Sequence, residues 1–195
     1  TFTLTQSEVG KEVTVDVSYT DGYEEAESLI SDPTDTVTNI NDDPMGTVTI
    51  DGVFAQFETL TANTSSITDE DGLGDISYEW FADGELIDGA TQATFTLTQS
   101  EVGKEITVGI SYTDDYDHYE VVTSGSSVPV ENINEVPVIE SSSFERLQIG
   151  SSLDTVIYDA DASDPDGDQL TYSLSGEDAS YVTIDPDDGE VRLIS

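Results

Sequence analysis

The chain has 195 residues, and its 43 acidic and 4 basic side chains give a formal net charge of −39. This charge excludes binding to nucleic acid or to an anionic membrane, since both need clustered Lys and Arg, and it opposes a compact state unless cations or salt neutralise it. The chain has no cysteine and no apolar run approaching the roughly 20 residues of a membrane helix, so the sequence predicts neither disulfides nor membrane insertion.

A gapless internal repeat organises the chain. Residues 1–44 match residues 94–137 at an offset of 93, with 26 of 44 pairs identical, and TFTLTQSEVGKE occurs twice. A period of about 93 residues suits one β-sandwich unit and is too long for a helical solenoid repeat. We therefore interpret 45–137 as a complete unit, 1–44 as the C-terminal half of another, and 138–195 as the first part of a different unit.

Short alternating runs of β-branched and aromatic residues predict the strands of the complete unit. In chain order they are GVFAQFETLTA, DISYEWFADG turning at a Gly into ELIDG as a hairpin, ATFTLT, EITVGISYT and HYEVVTSG. The Gly, Asp and Asn residues between them are typical of turns. No stretch combines helical periodicity with caps, so the predicted fold class is all-β, with tandem β-sandwiches arranged end to end.

Oxygen-bearing side chains recur at both junctions between units. Ca²⁺ takes six to eight oxygen ligands, which a linker, the next unit and the preceding unit could supply together. At the first junction the candidates are Asn39, Asn41 and Asp42 in the linker, Asp69 and Asp71 in TDEDG, and Asp21 and Glu27 from the preceding unit. At the second they are Asn132, Asn134 and Glu135, then Asp164 and Asp166 in SDPDGD, and Asp114 and Glu120 from the preceding unit. A salt-adapted acidic surface is the alternative explanation of the charge.

Two motifs of the complete unit, YEWFADGELIDGAT and TFTLTQSEVGKEITVGISYTD, resemble the Ig-like repeats of large bacterial (RTX-type) surface adhesins. The resemblance covers about residues 1–137. It implies that Trp80 is the core tryptophan of the third strand, that SEVGK forms the corner before the sixth strand, and that Tyr112 packs inside that strand.

The third unit, 138–195, resembles the first part of a bacterial cadherin-like domain, most specifically at DPDGDQLTYSL. NINEVP is similar to the calcium-bridging linker of cadherins, although Asn132 stands where that linker has Asp. The resemblance implies a common ligand set of Asn132, Asn134, Glu135, Asp164 and Asp166. It also implies that Glu145 is a further ligand near the start of the unit.

Other chemistries fit the sequence poorly. An EF-hand loop starting at Asp159 would have Asp164 at the position that requires Gly and Leu170 at the position that requires Glu. His118, the only histidine, stands where the other copy has Glu25, and we expect an exposed loop residue rather than a general base. Carboxylate pairs for glycoside hydrolysis are available from composition, but the acids follow the repeat, so we predict no enzyme activity.

These features predict a calcium-rigidified spacer of a secreted bacterial surface adhesin, which would project adhesive domains from the cell. Its partners would be the neighbouring domains of the same chain and the calcium ions between them. Three alternatives stay open: a subunit or spacer of an extracellular filament assembled from several chains, a module that binds a glycan or a partner, and a spacer attached to a secreted hydrolase.

Overall fold

The protein is all-β in its computed structural model, which describes residues 1–142, 152, 155–177 and 179–194. The strands in these residues are β1 (Asp16–Thr20), β2 (Ala26–Ile30), β3 (Thr49–Asp51), β4 (Thr59–Asn63), β5 (Ser77–Ala82), β6 (Glu85–Leu86), β7 (Thr94–Thr96), β8 (Ile106–Thr113), β9 (Tyr119–Thr123), β10 (Val138–Ile139), β11 (Val156–Asp159), β12 (Ala162–Ser163), β13 (Val182–Ile184) and β14 (Glu190–Leu193). Short 3₁₀ turns lie at Gln6–Glu8, Gln99–Glu101 and Ala179–Tyr181. The all-β class predicted from the alternating runs is confirmed.

Two antiparallel sheets between residues 45 and 131 enclose one hydrophobic core. Their strand orders are β3–β4–β7 and β6–β5–β8–β9. Every second side chain of β8 is buried, from Ile106 to Tyr112, because successive side chains of a strand point to opposite faces. Trp80 is fully buried, and its Nε1 donates to the carbonyl oxygen of Gln92 at 2.9 Å. The core positions predicted for Trp80 and Tyr112 are confirmed, as is the hairpin between β5 and β6.

One predicted strand is shorter than expected. GVFAQFETLTA forms a strand only from Thr59 onward, and the residues before it hydrogen-bond to two other segments. Gln56 N donates to Glu131 O at 2.9 Å, and Phe57 N donates to Leu97 O at 2.9 Å. These two donors bond to different segments, so the stretch does not pair with a single neighbouring strand. Phe57 has a left-handed φ of 69°.

The first copy of the repeat exposes the face that the second copy buries. Its strands β1 and β2 form a two-stranded hairpin. Leu4 is 50% exposed, whereas the equivalent Leu97 is fully buried. Val15 and Val108 differ in the same way, at 60% and 0%. Residues 45–93 supply the covering strands of the second copy, and nothing in the described part of the chain covers the first copy in that way.

The third unit forms two small antiparallel sheets. β10 pairs with β12, while β11, β14 and β13 form a sheet in that order. Val191 in β14 is the buried apolar residue of this sheet, at 6% exposure. The candidate ligand Glu145 lies outside the described residues.

Candidate cation sites at the two linkers

The two Asp-x-Asp motifs form the same turn. Asp71 N donates to Asp69 Oδ1 at 2.8 Å, and Asp166 N donates to Asp164 Oδ1 at 2.9 Å. A glycine with positive φ follows each motif, 101° at Gly72 and 78° at position 167, a conformation that side chains disfavour. The first aspartate of each turn thus has one carboxylate oxygen bonded to the backbone N of the second aspartate.

Each linker donates a backbone hydrogen bond to that second aspartate. Asp42 N donates to Asp71 Oδ2 at 2.7 Å, and Glu135 N donates to Asp166 Oδ2 at 2.6 Å. Asp42 and Glu135 are equivalent positions of the repeat. The structure thus brings the predicted linker acid and the predicted loop acid together at both junctions, with the same contact.

The corner turn of the preceding unit also reaches the junctions, which the sequence did not indicate. At the first junction Gln6 Nε2 donates to Asp71 Oδ1 at 2.7 Å. At the second junction the equivalent residue, Gln99, accepts at Oε1 from Gln56 Nε2 at 2.7 Å. The only available signal was that both glutamines lie within the twice-repeated TFTLTQSEVGKE.

Gln56 anchors the second linker from inside the core of the complete unit. It is fully buried, and its Oε1 accepts from Ile133 N at 3.1 Å. Its Nε2 also donates to Glu135 Oε2 at 3.1 Å. A buried amide with all these partners fixes where the linker leaves the unit, because unpaired buried polar atoms are costly.

The predicted contribution of the preceding unit to the second junction requires correction. Asp114 and Glu120 lie at the first junction: Asp114 clusters with Asp71, and Glu120 Oε1 accepts from Asn41 Nδ2 at 2.9 Å. The reason is strand direction. β8 runs antiparallel to β5, with Ser111 opposite Ser77, so the end of β8 lies beside the loop that leads into β5.

The equivalent residues of the first copy are likewise not brought to the first junction. Asp21 Oδ1 accepts from the backbone N of Tyr23 and of Glu25, at 2.8 and 3.0 Å, within its own hairpin turn. Glu27 pairs across that hairpin with Tyr19. Within the described ranges, neither residue has a hydrogen bond to the linker or to TDEDG.

Two contacts clamp the TDEDG loop to the end of β8, and a third lies just after the loop. Tyr112 Oη donates to Asp69 Oδ2 at 2.6 Å, and Asp115 N donates to Asp71 O at 3.2 Å. The backbone passes so close at Gly74 that a Cβ there would lie 1.9 Å from the carbonyl oxygen of Thr113. The loop that carries both aspartates is therefore held in place before any ligand binds.

Several polar atoms at the junctions are buried without a hydrogen-bond partner. They are Asp114 Oδ2, Asp166 Oδ1 and both polar side-chain atoms of Asn39. A buried carboxylate oxygen without a donor is costly, and a cation would remove that cost. The other linker asparagines behave differently: Asn132 is exposed, and Asn134 Nδ2 donates to Glu135 O at 3.0 Å. The orphaned oxygens therefore fit a bound cation at each junction.

The pKa of Asp114 is held below its ordinary value. Burial alone would raise this pKa, but hydrogen bonds from the backbone N of His118 and of Tyr116 lower it, and so does the charge of a protonated His118. Asp114 therefore stays ionised, as a metal ligand must be.

Replacing Tyr112 with Phe is expected to destabilise the complete unit by about 1.5–3 kcal/mol, the usual cost of a hydrogen bond to a charged group. Tyr19→Phe is the matched control, since Tyr19 is 61% exposed, and it should change stability by less than about 0.5 kcal/mol. Urea unfolding followed by fluorescence of Trp80, the only tryptophan, measures both. Equal effects of the two variants would contradict the role of the clamp.

Tyr112→Phe is also expected to change how the stability of the complete unit depends on pH. Burial, followed by the hydrogen bond to Asp69, raises the pKa of Tyr112 above its ordinary value. The folded chain therefore holds this proton more tightly than the unfolded chain. That stabilisation is complete below the unfolded tyrosine pKa of about 10 and is lost as the pH rises through the folded value. Tyr112→Phe should abolish this part of the alkaline destabilisation.

Comparisons with known proteins give no match, whether against protein-family models, curated proteins or solved structures. Across the part of the chain that the structure describes, no helix has the length and apolar character needed to cross a membrane.

Proposed function

We propose that this chain is a spacer of a secreted bacterial surface adhesin, in which calcium ions fix the angles between Ig-like and cadherin-like units. One observation carries the proposal. The same linker-to-aspartate contact recurs at both junctions, from Asp42 to Asp71 and from Glu135 to Asp166. A contact that recurs at both junctions of a repeat protein suits a role in connecting its units better than a role in catalysis.

The donors at the second junction favour calcium. One carboxylate oxygen each from Asp164, Asp166 and Asp168 lies within 4.8 Å of the others, and Asp166 Oδ1 is buried without a donor. Hard cations prefer such oxygen-only sets. These three residues and Glu135 would hold the ion; Asp168 is a candidate ligand that was not predicted from the sequence. At the first junction the predicted linker and loop acids, Asp42, Asp69 and Asp71, would take the corresponding place.

The mechanism follows from repulsion and backbone freedom. A short linker has soft φ and ψ angles, and the carboxylates gathered around it repel one another when no cation is bound. An ion held by the linker and by the next unit removes both effects. The string of units then becomes a stiff rod that would hold an adhesive domain away from the cell.

A filament subunit is the second candidate, and the open face of the first copy supports it. Leu4, Val15 and Val17 are 50–60% exposed there, although their equivalents form the core of the second copy. A neighbouring chain that supplied strands to this face would link chains into a fibre.

Distance measurements across the second junction test the spacer proposal. The chain has no cysteine, so Glu79→Cys and Thr183→Cys, both at exposed strand positions, would carry two spin labels and no others. Calcium is expected to narrow the distance distribution between them, because it removes linker freedom. Sodium chloride at about 1 M, which screens charges beyond about 3 Å, should not.

Two further variants separate coordination from screening. Asp164→Asn with Asp166→Asn should abolish the narrowing by calcium. Asp185→Asn with Asp187→Asn removes the same charge from a turn of the same unit, where Asp187 N donates to Asp185 Oδ1, and should leave the narrowing intact. If salt narrows the distribution as much as calcium does, or if both pairs of substitutions act alike, the spacer depends on net charge and the calcium proposal is wrong.

A further inference from the structure

The only histidine of the chain stands beside two buried aspartates at the first junction. Asp71 and Asp114 are 2% and 6% exposed, and the side chain of His118 is 46% exposed. One potential ligand atom from each of these three residues lies within 4.8 Å of the other two. The clamp between the TDEDG loop and β8 holds both aspartates in place, so this group is largely pre-organised.

Asp114 Oδ2 is the atom that points to a ligand. The other oxygen, Oδ1, accepts from the backbone N of Tyr116 and of His118, both at 2.8 Å. Oδ2 is buried and has no hydrogen-bond donor, although it lies 3.3 Å from His118 Nδ1. Two ligands of a tetrahedral ion with bonds of about 2.0–2.1 Å are about 3.3 Å apart. The carboxylate and the imidazole are therefore spaced as two ligands of one ion.

We propose that Asp71, Asp114 and His118 bind a divalent transition-metal ion of the zinc class. Imidazole suits Zn²⁺, Ni²⁺ and Cu²⁺, whereas oxygen-only sets suit Ca²⁺ and Mg²⁺. Three protein ligands leave one position of a tetrahedral ion for water. This inference goes beyond the calcium proposal and does not rest on it, although Asp71 serves both.

Two other parts of the described chain offer oxygen donors alone. In the first copy the equivalent turn is built alike, with Asp21 Oδ1 accepting from Tyr23 N and Glu25 N. Glu25 stands there in the place of His118. The cluster of Asp164, Asp166 and Asp168 also has oxygen donors alone. The two junctions are thus expected to differ in metal preference, with zinc-class ions favoured at the first.

Calorimetric titration of the cation-free chain with zinc chloride tests the proposal, provided that the protein carries no polyhistidine tag. His118→Gln is expected to weaken zinc binding by at least about tenfold. Asp117→Asn is the matched control, because it removes a charge from the same turn but no ligand, and Asn tolerates the left-handed φ of 67° found there. It should bind zinc as the unchanged chain does.

Nuclear magnetic resonance supplies a direct readout, since all imidazole signals come from His118. Zinc should shift both carbon-bound ring protons at one equivalent of metal. If His118→Gln folds poorly, His118→Glu is the second variant, because the first copy has Glu at this position. His118→Glu should also bind zinc more weakly than the unchanged chain. Ring protons that do not move, or a variant that binds within about twofold of the unchanged chain, would overturn the proposal and leave His118 as an ion-pair partner of Asp114.

The two metal proposals fail separately. Zinc binding that depends on His118, together with a spin-label distance that calcium does not narrow, would contradict only the calcium spacer. Narrowing by calcium with zinc binding that ignores His118 would contradict only the zinc-class site.

Discussion

Calcium is expected to raise the midpoint of thermal unfolding of the complete unit by on the order of 10 °C. A ligand bound only by the folded form stabilises it by RT ln(1 + [L]/Kd), or about 2.7 kcal/mol at 100-fold saturation. One kcal/mol shifts the midpoint of a domain of 60–100 residues by roughly 4–8 °C. The site couples to global unfolding because Tyr112, which is buried in the core, bonds directly to Asp69.

Scanning calorimetry with a chelator and then with millimolar calcium measures this shift. Asp71→Asn should remove most of it, because Asp71 is 2% exposed and accepts from both the linker and Gln6. Glu79→Gln is a suitable control, since it removes one charge from an exposed strand position of the same unit. A midpoint that calcium leaves unchanged would contradict the calcium proposal and favour the salt-adapted acidic surface.

Leu97→Ala is expected to destabilise the complete unit by about 2–5 kcal/mol, whereas Leu4→Ala should cost less than about 0.5 kcal/mol. The two leucines lie in the identical sequence TFTLTQSEVGKE. Leu97 is fully buried and Leu4 is 50% exposed, so only the first change leaves a cavity. Urea unfolding followed by Trp80 fluorescence and by far-ultraviolet circular dichroism would record the loss in each copy.

The Leu4 result also separates the spacer from the filament. Leu4→Ala could instead lower the free energy of unfolding as much as Leu97→Ala does, by an amount that grows with protein concentration. This would mean that another chain covers the first copy. That outcome would favour the filament candidate. A small cost, independent of concentration, would mean that the face stays open in this chain.

Much of the fold is predictable from the sequence because strand periodicity is a local property. Alternation from Ile106 to Tyr112 predicts a half-buried strand, and the structure has β8 there. Trp80 and Tyr112 are buried as predicted. The Asp-x-Asp-Gly pattern also indicates the turn itself, because the first aspartate accepts the backbone hydrogen bond of the second and both lie within three residues.

The assignment of residues to each end of the sandwich depends on tertiary structure. The repeat register associates Asp114 with the linker that follows it in sequence, but the antiparallel pairing of β5 with β8 carries it to the preceding linker. Gln56 could not be selected from the sequence either, because its partners Ile133 and Glu135 lie 77 and 79 residues away. Such contacts arise only when the sheets pack.

The twelve residues TFTLTQSEVGKE show most directly which features the sequence determines and which depend on tertiary structure. Their sequence determines a local structure that both copies share, a 3₁₀ turn with a capping box from Thr5 to Glu8 and from Thr98 to Glu101. It does not determine burial, since Leu4 is half exposed and Leu97 has no exposure. Hydrogen bonds within a turn need only neighbouring residues, whereas exclusion of water needs the opposing sheet that residues 45–93 provide to one copy alone.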